Sequence, residues 1–355
     1  MSPSSPDYSE WEPLTVEVDF DARPSNSQLK KAGTILSKNF DSTDDDHQSA
    51  LSILNHWRGL HLPLLRSFML KLTKLDIEEA IPVSRIKRVA SILAKLQRPN
   101  RPALNRLEDI AGARIIAPSF DNVLEVKEAL SGIDSEFIPS SRPTRDYMYP
   151  ESHDTGYRGI HVIYQYNGKE TCFKNLHIEL QIRSKIQHAW ATAVEIIDTF
   201  TGQTLKAGTG EPEWQNFFLL VSNAFASIEI EDYQLEKKDY EGLRKLCSKL
   251  DILNRLRAFS QLIKQKKEFG KEEDPSYFIL SLDSDEKSIH LYSFSQEEVN
   301  DAQKHYEYLE IENRANYNVD VVLVSSSSLY DLKSAYPNYF ADTNHFIETL
   351  TQFLV

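Results

Sequence analysis

A run of positive charge is the feature that most constrains the fold of this chain. Between Ala80 and Leu107 the sequence has seven Lys or Arg residues and no Asp or Glu, although the whole chain has 53 acidic and 40 basic residues. The fold must keep these cations accessible, because burying an unpaired charge is very costly. The carboxylates Glu108 and Asp109 follow directly. Clustered cations beside a carboxylate suit a polyphosphate with its divalent metal.

The basic segment is predicted to be a helix over residues 82–98, with Pro82 in its first turn and Pro99 beyond its end. At ~100° per residue, one side of such a helix carries its polar and basic side chains. These are Arg85 (near the edge), Lys87, Arg88, Ser91, Lys95 and Arg98, opposite Val89, Ile92, Leu93 and Leu96. Solvated helix faces usually mix charges of both signs. The absence of acids weakens the interpretation as a merely solvated face, but that interpretation stays open at this point.

Composition excludes several classes of protein. With 41% hydrophobic and 26% charged residues, the chain is typical of soluble globular proteins. Cys172 and Cys247 are its only cysteines, which excludes a disulfide scaffold or a zinc site made of cysteines. The first residues lack a signal-peptide pattern, and no apolar run approaches the ~20 residues that span a bilayer. We expect a cytoplasmic protein without membrane contact. No P-loop motif is present, so side chains must bind any phosphates.

We predict an α+β fold with a mixed β-sheet core flanked by helices. Residues 1–46 are expected to form a loosely held arm, 47–200 the core, 201–270 a helical extension, and 271–355 a small C-terminal α/β unit. In the core we predict helices at 45–75, 121–130 and 185–200, and strands at IAGARIIAP, HVIYQY and LHIELQIRS. The region 212–268 is predicted to form two helices. The C-terminal unit is predicted to contain a hairpin, a helix at 295–313, the strand VDVVLVS and two short helices.

The strand LHIELQIRS alternates, so Glu179, Gln181 and Arg183 share one face. Asp109 and Arg114 stand at a neighbouring predicted strand. Two carboxylates on adjacent strands are able to hold Mg²⁺, which takes up charge on a transferring phosphate. An ordinary half-exposed strand produces the same alternation, and that interpretation stays open at this point.

The loop before HVIYQY is rich in tyrosine. Tyr147, Tyr149 and Tyr157 are candidate platforms for stacking a base, and His161 is a candidate contact to a phosphate or hydroxyl. Gly156 indicates a tight turn that exposes the ring of Tyr157. The alternatives are a tyrosine-rich loop that only packs and a histidine with a structural role.

Four blocks in this order resemble the synthetase domain of the RelA/SpoT family, over roughly residues 48–200. The blocks are Arg85, Lys87, Ser91 and Lys95; Asp109 and Arg114; Asp146, Tyr147, Gly156, Tyr157 and His161; and Glu179, Gln181, Arg183 and Ser184. The resemblance implies a nucleotidyltransferase-like core that moves the β,γ-pyrophosphate of ATP to the 3′-hydroxyl of GDP or GTP, making the alarmone (p)ppGpp. No His-Asp pair with supporting ligands precedes the first block, so we expect no hydrolase domain of the family type.

The resemblance also implies residue roles. Arg85, Lys87, Ser91, Lys95 and Arg114 would bind the phosphates of ATP. Asp109 and Glu179 would bind Mg²⁺, and Glu179 would also take the proton of the attacking hydroxyl. Arg145, Tyr147, Tyr157, His161, Gln181 and Arg183 would bind the acceptor nucleotide.

Departures from the family pattern leave the acceptor open. Family members often carry a lysine where this chain has Arg145, and the stretch before Gly156, PESHDT, is acidic. A relative that modifies adenosine nucleotides or the 3′ end of tRNA is therefore an alternative, with the C-terminal unit as its inhibitor. Tyr336 and Tyr339 are candidates for an aromatic hook into the base pocket, or else tyrosines packed at a helix end. A non-catalytic nucleotide sensor is disfavoured because it would not need both Asp109 and Glu179. Homo-oligomerisation is left open.

Overall fold

The computed structural model describes residues 23–38, 45–74, 79–98, 102–130, 135–152, 154–201, 203–262, 264–267, 277–283, 286, 288–295, 297–313, 319–325, 332–333, 336–337 and 343–354. Its helices are α1 Asn26–Leu36, α2 Asp45–Gly59, α3 His61–Leu72, α4 Val89–Leu96, α5 Phe120–Ala129, α6 Lys185–Thr201, α7 Pro212–Glu229, α8 Lys237–Lys249, α9 Ile252–Leu262, α10 Val299–Glu312 and α11 Asn344–Thr351. Its strands are β1 Ile81–Ile86, β2 Ala111–Ala117, β3 Phe137–Pro139, β4 Arg145–Asp146, β5 Ile160–Tyr166, β6 His177–Ser184, β7 Lys264–Lys267, β8 Tyr277–Asp283, β9 Ser288–Phe294 and β10 Val319–Ser325.

The described strands form one mixed sheet in the order β3-β5-β6-β2-β1-β10-β8-β9-β7, with β4 paired to β5. The pairs β2–β6 and β7–β9 are parallel and the others antiparallel, which confirms the predicted α+β class. The predicted hairpin is present as β8 and β9. Ser84 and Arg85 of β1 pair with Ser325 and Val324 of β10. The C-terminal strands therefore extend the same sheet from its basic strand.

The prediction of one helix over residues 82–98 is wrong. Residues 81–86 form strand β1, and the helix begins only at Val89. Hydrogen bonding to β2 and β10, together with burial of Val83 and Ile86, outweighs the helical pattern. Pro82 is tolerated because the pairing with β10 covers only Ser84 and Arg85. The apolar face of the remaining helix is confirmed, since Ile92 and Leu96 are buried and Val89 and Leu93 pack against the same core.

The N-terminal arm is also more ordered than predicted. Residues 1–22 and 39–44 lie outside the described residues, but 26–36 form α1, which starts with a capping box between Ser25 and Gln28. Leu29, Ala32 and Leu36 are buried in the main core. A Cβ on Gly33 would lie only 2.8 Å from Leu104 Cβ, so α1 packs closely on the segment that leads to Asp109.

Two further helix boundaries differ from the predictions. The helix expected at 45–75 is interrupted at Leu60, giving α2 and α3. Its buried residues include Trp57, Leu60, Leu64, Leu65 and Phe68. The region 212–268 contains three helices instead of two, because Asp251, with a φ of 50°, separates α8 from α9. In the part of the chain that the structure describes, no helix is both long and apolar enough to cross a membrane.

Candidate functional site

An open cleft lies over the centre of the sheet. Its walls come from β1, the start of β2, β6 and the C-terminal segment, and they are Val83, Arg85, Lys87, Asp109, Gly112, Ala113, Arg114, Glu179, Gln181 and Tyr336. Val83, Arg85 and Lys87 reach it with the period of two that a strand imposes. Because residues 81–86 form a strand and not a helix, Arg85 and Lys87 point into the same cleft.

The cationic half of the site consists of Arg85, Lys87, Lys95, Asp109 and Arg114. Lys87 Nζ lies 3.0 Å and Lys95 Nζ 2.7 Å from the same oxygen, Asp109 Oδ2. Burial favours the neutral form of Asp109, but the two lysines outweigh it and lower the pKa of this carboxyl. Burial also lowers the pKa of Lys87. Lys87, directly after β1, and Lys95, on α4, therefore contact the same carboxylate.

The second oxygen of Asp109 is the best candidate for a metal ligand. Oδ1 is buried and accepts no hydrogen bond from the described residues. Glu179 lines the same cleft, and its charge acts on Asp109. Within the described ranges no group of three or more His, Cys, Asp or Glu side chains is arranged to hold a metal. Two carboxylates are nevertheless enough for Mg²⁺ when substrate phosphates complete its coordination.

Two arginines complete the cationic half. Burial, followed by repulsion from Arg183 and Arg85, lowers the pKa of Arg114 to about 10. Glu195 on α6 is the acid that acts on this cluster: burial opposes its charge, yet Lys206, Arg85 and Arg114 hold its pKa far below the usual value. Sequence analysis missed Glu195, although an acid between Val194 and Ile196 in an apolar helix is a usable signal.

The hydrogen-bonded half of the site consists of Tyr157, His161, Glu179, Gln181 and Arg183. His161 Nδ1 lies 3.2 Å from Glu179 Oε1, and Tyr157 Oη lies 2.5 Å from His161 Nε2. Gln181 Nε2 donates to Glu179 Oε2 at 3.0 Å and Gln181 Oε1 accepts from Arg183 Nη2 at 3.0 Å. Arg183 Nε closes the ring by donating to Tyr157 Oη at 3.1 Å. These side chains therefore hold each other in place.

This ring of hydrogen bonds controls the charge of Glu179. Burial favours its neutral form, but the contacts from His161 and Gln181 outweigh burial and lower the pKa of Glu179 to about 2. Burial raises the pKa of the Tyr157 hydroxyl. Glu179 is therefore a carboxylate, and Tyr157 a neutral phenol, near neutral pH.

The remaining candidate residues, for the acceptor and for ATP, differ in their contacts to this ring of hydrogen bonds. Tyr147 is stacked edge-on against both Tyr157 and His161, with ring centroids 5.9 Å apart in each case. Arg145 is exposed on β4, opposite His161 in the strand pairing. Tyr149 packs instead against Phe120, at 5.9 Å. Ser91 lies half-buried on α4, and the structure gives it no contact to the cleft.

A buried ion pair that sequence analysis did not identify involves Arg158, the residue after Tyr157. Arg158 Nη2 lies 2.7 Å from Glu229 Oε2 on α7, and both side chains are at most 4% exposed. Ser184, at the end of β6, donates a hydrogen bond to the other oxygen of Glu229. A Cβ on Gly159, with its φ of 149°, would lie 3.1 Å from Tyr157 Oη. This close packing leaves little freedom for the Tyr157 ring.

Tyr336 enters the cationic half from the C-terminal segment. Its side chain is buried, its hydroxyl donates to Ser84 O at 3.2 Å, and Arg114 Cζ lies 5.8 Å from the ring centre. Burial raises the pKa of the Tyr336 hydroxyl. Tyr339, the second residue of the predicted hook, lies outside the described residues.

Comparison with known proteins finds similarity over the part of the chain that contains these residues. A family model described as a region found in RelA / SpoT proteins matches residues 84–197, which contain all the predicted site residues. GTP pyrophosphokinase YjbM of Bacillus subtilis is 34% identical over 111 residues, which are 30% of this chain and 51% of YjbM. This chain thus spans about half the length of that relative.

Two other matches cover more of the chain. The uncharacterized protein Mb1401 of Mycobacterium bovis is 25% identical over 244 residues, or 65% of this chain and 84% of that protein. Among solved structures, small alarmone synthetase 1 from Bacillus subtilis aligns with a TM-score of 0.41 and 25% identity, over 50% of this chain and 94% of that one. Residues 84–197 of this chain are therefore similar to a region found in RelA / SpoT proteins.

Proposed function

We propose that this chain is a Mg²⁺-dependent pyrophosphotransferase that moves the β,γ-pyrophosphate of ATP to the 3′-hydroxyl of GDP or GTP. The observation that carries the proposal is a single cleft in which Asp109 and Glu179 face a row of cations. The similarity to YjbM, a GTP pyrophosphokinase, supports the same reaction over the matched residues. In this reaction the 3′-oxygen bonds to the β-phosphorus, the bond from that phosphorus to the α,β-bridging oxygen breaks, and AMP leaves.

On the cationic half, Arg85, Lys87, Lys95 and Arg114 would bind the triphosphate of ATP. Lys87 and Lys95 pair with Asp109 in the structure. The phosphates of ATP would replace Asp109 as the partner of these lysines. Asp109 Oδ1 and Glu179 would hold Mg²⁺, which would offset charge on the transferring phosphates. Placing cations where charge develops is the main source of rate enhancement in phosphoryl transfer. Ser91, without a contact to the cleft, is the weakest member of the proposed set.

On the hydrogen-bonded half, Tyr157 and Tyr147 would stack on the acceptor base, with Arg145, His161, Gln181 and Arg183 around its sugar and phosphates. Glu179 has two proposed roles, metal ligand and proton acceptor. A carboxylate with a pKa of about 2 is a weak base near neutral pH, because proton transfer to it is uphill. The hydrogen bonds around Glu179 therefore support the metal role more than the base role.

The test is to incubate the purified chain with γ-labelled ATP and Mg²⁺, and to offer GDP, GTP, adenosine nucleotides and tRNA in turn. We expect label on GDP or GTP, one AMP formed for each transfer, and no transfer when EDTA removes the metal. Label only on adenosine nucleotides or tRNA would contradict the proposed acceptor. No label on any acceptor would contradict the activity itself.

A second candidate, the adenosine- or tRNA-modifying relative restrained by its C-terminal unit, is favoured by Tyr336. Its buried ring occupies part of the wall beside Arg114, where a donor nucleotide would lie. Glu151 and Asp154, exposed before Gly156, add negative charge that disfavours a polyphosphate acceptor. If Tyr336 restrains the enzyme, Tyr336→Ala should raise the transfer rate at least about tenfold, whereas Tyr336→Phe, which keeps the ring, should not. Equal rates in the two variants would exclude restraint by this ring.

A further inference from the structure

A buried polar cluster lies behind the cationic half, where the C-terminal helix α10 meets α2 and the turn between β1 and α4. Arg58 on α2 is 3% exposed, and its Nη1 lies 2.9 Å from Glu310 Oε2 on α10. Arg58 Nη2 donates to Tyr306 Oη at 2.9 Å, and Tyr306 Oη donates to Glu310 Oε1 at 2.8 Å. Three side chains from two distant parts of the sequence thus form one closed network.

This network holds the backbone of Lys87 and Val89. Glu310 Oε1 accepts a hydrogen bond from Val89 N at 3.0 Å, and Arg58 Nε donates to Lys87 O at 3.1 Å. On its other side, Lys87 N donates to Ile110 O at 2.8 Å, next to Asp109. The residue whose Nζ meets Asp109 is therefore fixed at both its amide and its carbonyl.

Glu310 supplies a cap that α4 lacks in its own sequence. Arg88 occupies the N-cap position, and an arginine side chain cannot accept a hydrogen bond. A carboxylate at the N-terminus both accepts a free N–H and complements the helix dipole. Helix α4 has only eight residues, and such short helices depend on outside contacts. Lys95, which reaches Asp109, lies in its last turn.

We propose that Glu310 is a positioning residue for Lys87 and Lys95, so that α10 is a working part of the triphosphate site. This inference rests on the proposed function, because it assigns the two lysines to the donor nucleotide. It gives the C-terminal region two opposite effects: Glu310 supports the cations from behind, while Tyr336 stands in the cleft in front of them. Deleting the whole region would mix the two effects, whereas single substitutions in the full chain separate them.

The test is the affinity of the full-length chain for ATP with Mg²⁺, measured by calorimetry without acceptor, together with the KM for the acceptor and the melting temperature. Glu310→Ala should weaken ATP binding at least about tenfold, since it removes both the cap and the partner of Arg58. Glu310→Gln keeps an oxygen for Val89 N–H and should recover part of this loss. The acceptor KM should not change.

Glu312→Ala is the matched control, because Glu312 is exposed on the same helix. If Glu310→Ala does not fold, the double variant Arg58→Met/Glu310→Met removes both charges together, which buried pairs tolerate better, and should show the same loss of ATP affinity. A lower melting temperature with unchanged ATP affinity would overturn the inference and leave a merely structural role. A wild-type chain that neither binds ATP nor transfers label would instead overturn the proposed function, and this inference with it.

Discussion

The cationic half of the site is assembled from separate parts of the chain, whereas the hydrogen-bonded half comes from one loop and two adjacent strands. Lys87 follows β1, Lys95 lies on α4 and Asp109 precedes β2, and Glu310 accepts a hydrogen bond from Val89 N at the start of α4. By contrast, Tyr157, His161, Glu179, Gln181 and Arg183 hold one another through side-chain hydrogen bonds across β5 and β6.

This difference indicates how each half responds to change. Lysines that pair with one carboxylate can pair with phosphates instead. The cationic half is therefore suited to a ligand whose phosphates replace the ion pairs that Lys87 and Lys95 make with Asp109. A closed hydrogen-bond ring has a fixed shape and loses several contacts when one member is removed. We therefore expect the cationic half to govern donor affinity and the other half to govern acceptor placement.

The largest effect is expected where the two halves share the proposed metal. Asp109→Asn keeps the size of the side chain but removes its charge, so kcat should fall more than about 1,000-fold. The melting temperature should also fall, because Lys87 and Lys95 lose their shared partner. Labelled-ATP transfer and a thermal melt of the same preparation measure both quantities. Near-normal transfer by this variant would show that Asp109 is not a metal ligand.

A smaller effect concerns stability in the hydrogen-bonded half. Because the pKa of Glu179 in the folded chain, about 2, is below its usual 4.5, its contacts stabilise the fold above about pH 4.5. That contribution, up to about 3 kcal/mol, should be lost progressively as the pH falls toward 2. Urea unfolding of the wild type and Glu179→Gln from pH 7 to pH 3 should therefore show a difference that shrinks with decreasing pH. A constant difference would mean that the ring does not depress this pKa.

The smallest effects form a crossed pair that tests the separation of the halves directly. Lys95→Gln removes one cation from Asp109 and should raise the KM for ATP about tenfold, with the acceptor KM unchanged. Tyr157→Phe removes one hydroxyl from the ring and should raise the acceptor KM about threefold to tenfold, with the KM for ATP unchanged. Steady-state kinetics with each substrate varied in turn measures both. If either variant changed both constants equally, the two halves would not be separate.

The sequence predicted the hydrogen-bonded half of the site better than the cationic half. The alternation of HIELQIRS placed Glu179, Gln181 and Arg183 on one face, and the structure brings these three side chains into one network. Their neighbours from the tyrosine-rich loop were found through aromatic content, although Tyr149 proved to pack elsewhere. A strand's period of two depends only on local backbone geometry, so the faces of a strand can be predicted from the sequence.

The basic segment was predicted as a cation-bearing element but with the wrong backbone. Its charge pattern fits a helix over 82–98, yet pairing of residues 81–86 with β2 and β10 makes a strand there. The sequence carries no local signal for this, because β10 lies more than two hundred residues further along the chain. Glu310 was missed for the same reason, since its partners Arg58 and Val89 lie more than two hundred residues away in sequence.

The sequence by itself determined the chemistry available to this protein: an unbalanced run of cations, two carboxylates, and a tyrosine-rich loop in an order that resembles RelA/SpoT proteins. Those properties follow from residue type and short spacing, which local physics controls. Only the tertiary structure decided that Lys87 and Lys95 meet at one oxygen of Asp109, and that the C-terminal region both lines the cleft with Tyr336 and supports it with Glu310. These contacts depend on strand pairing, on burial and, for Tyr336 and Glu310, on residues more than two hundred positions away in sequence, which no local pattern encodes.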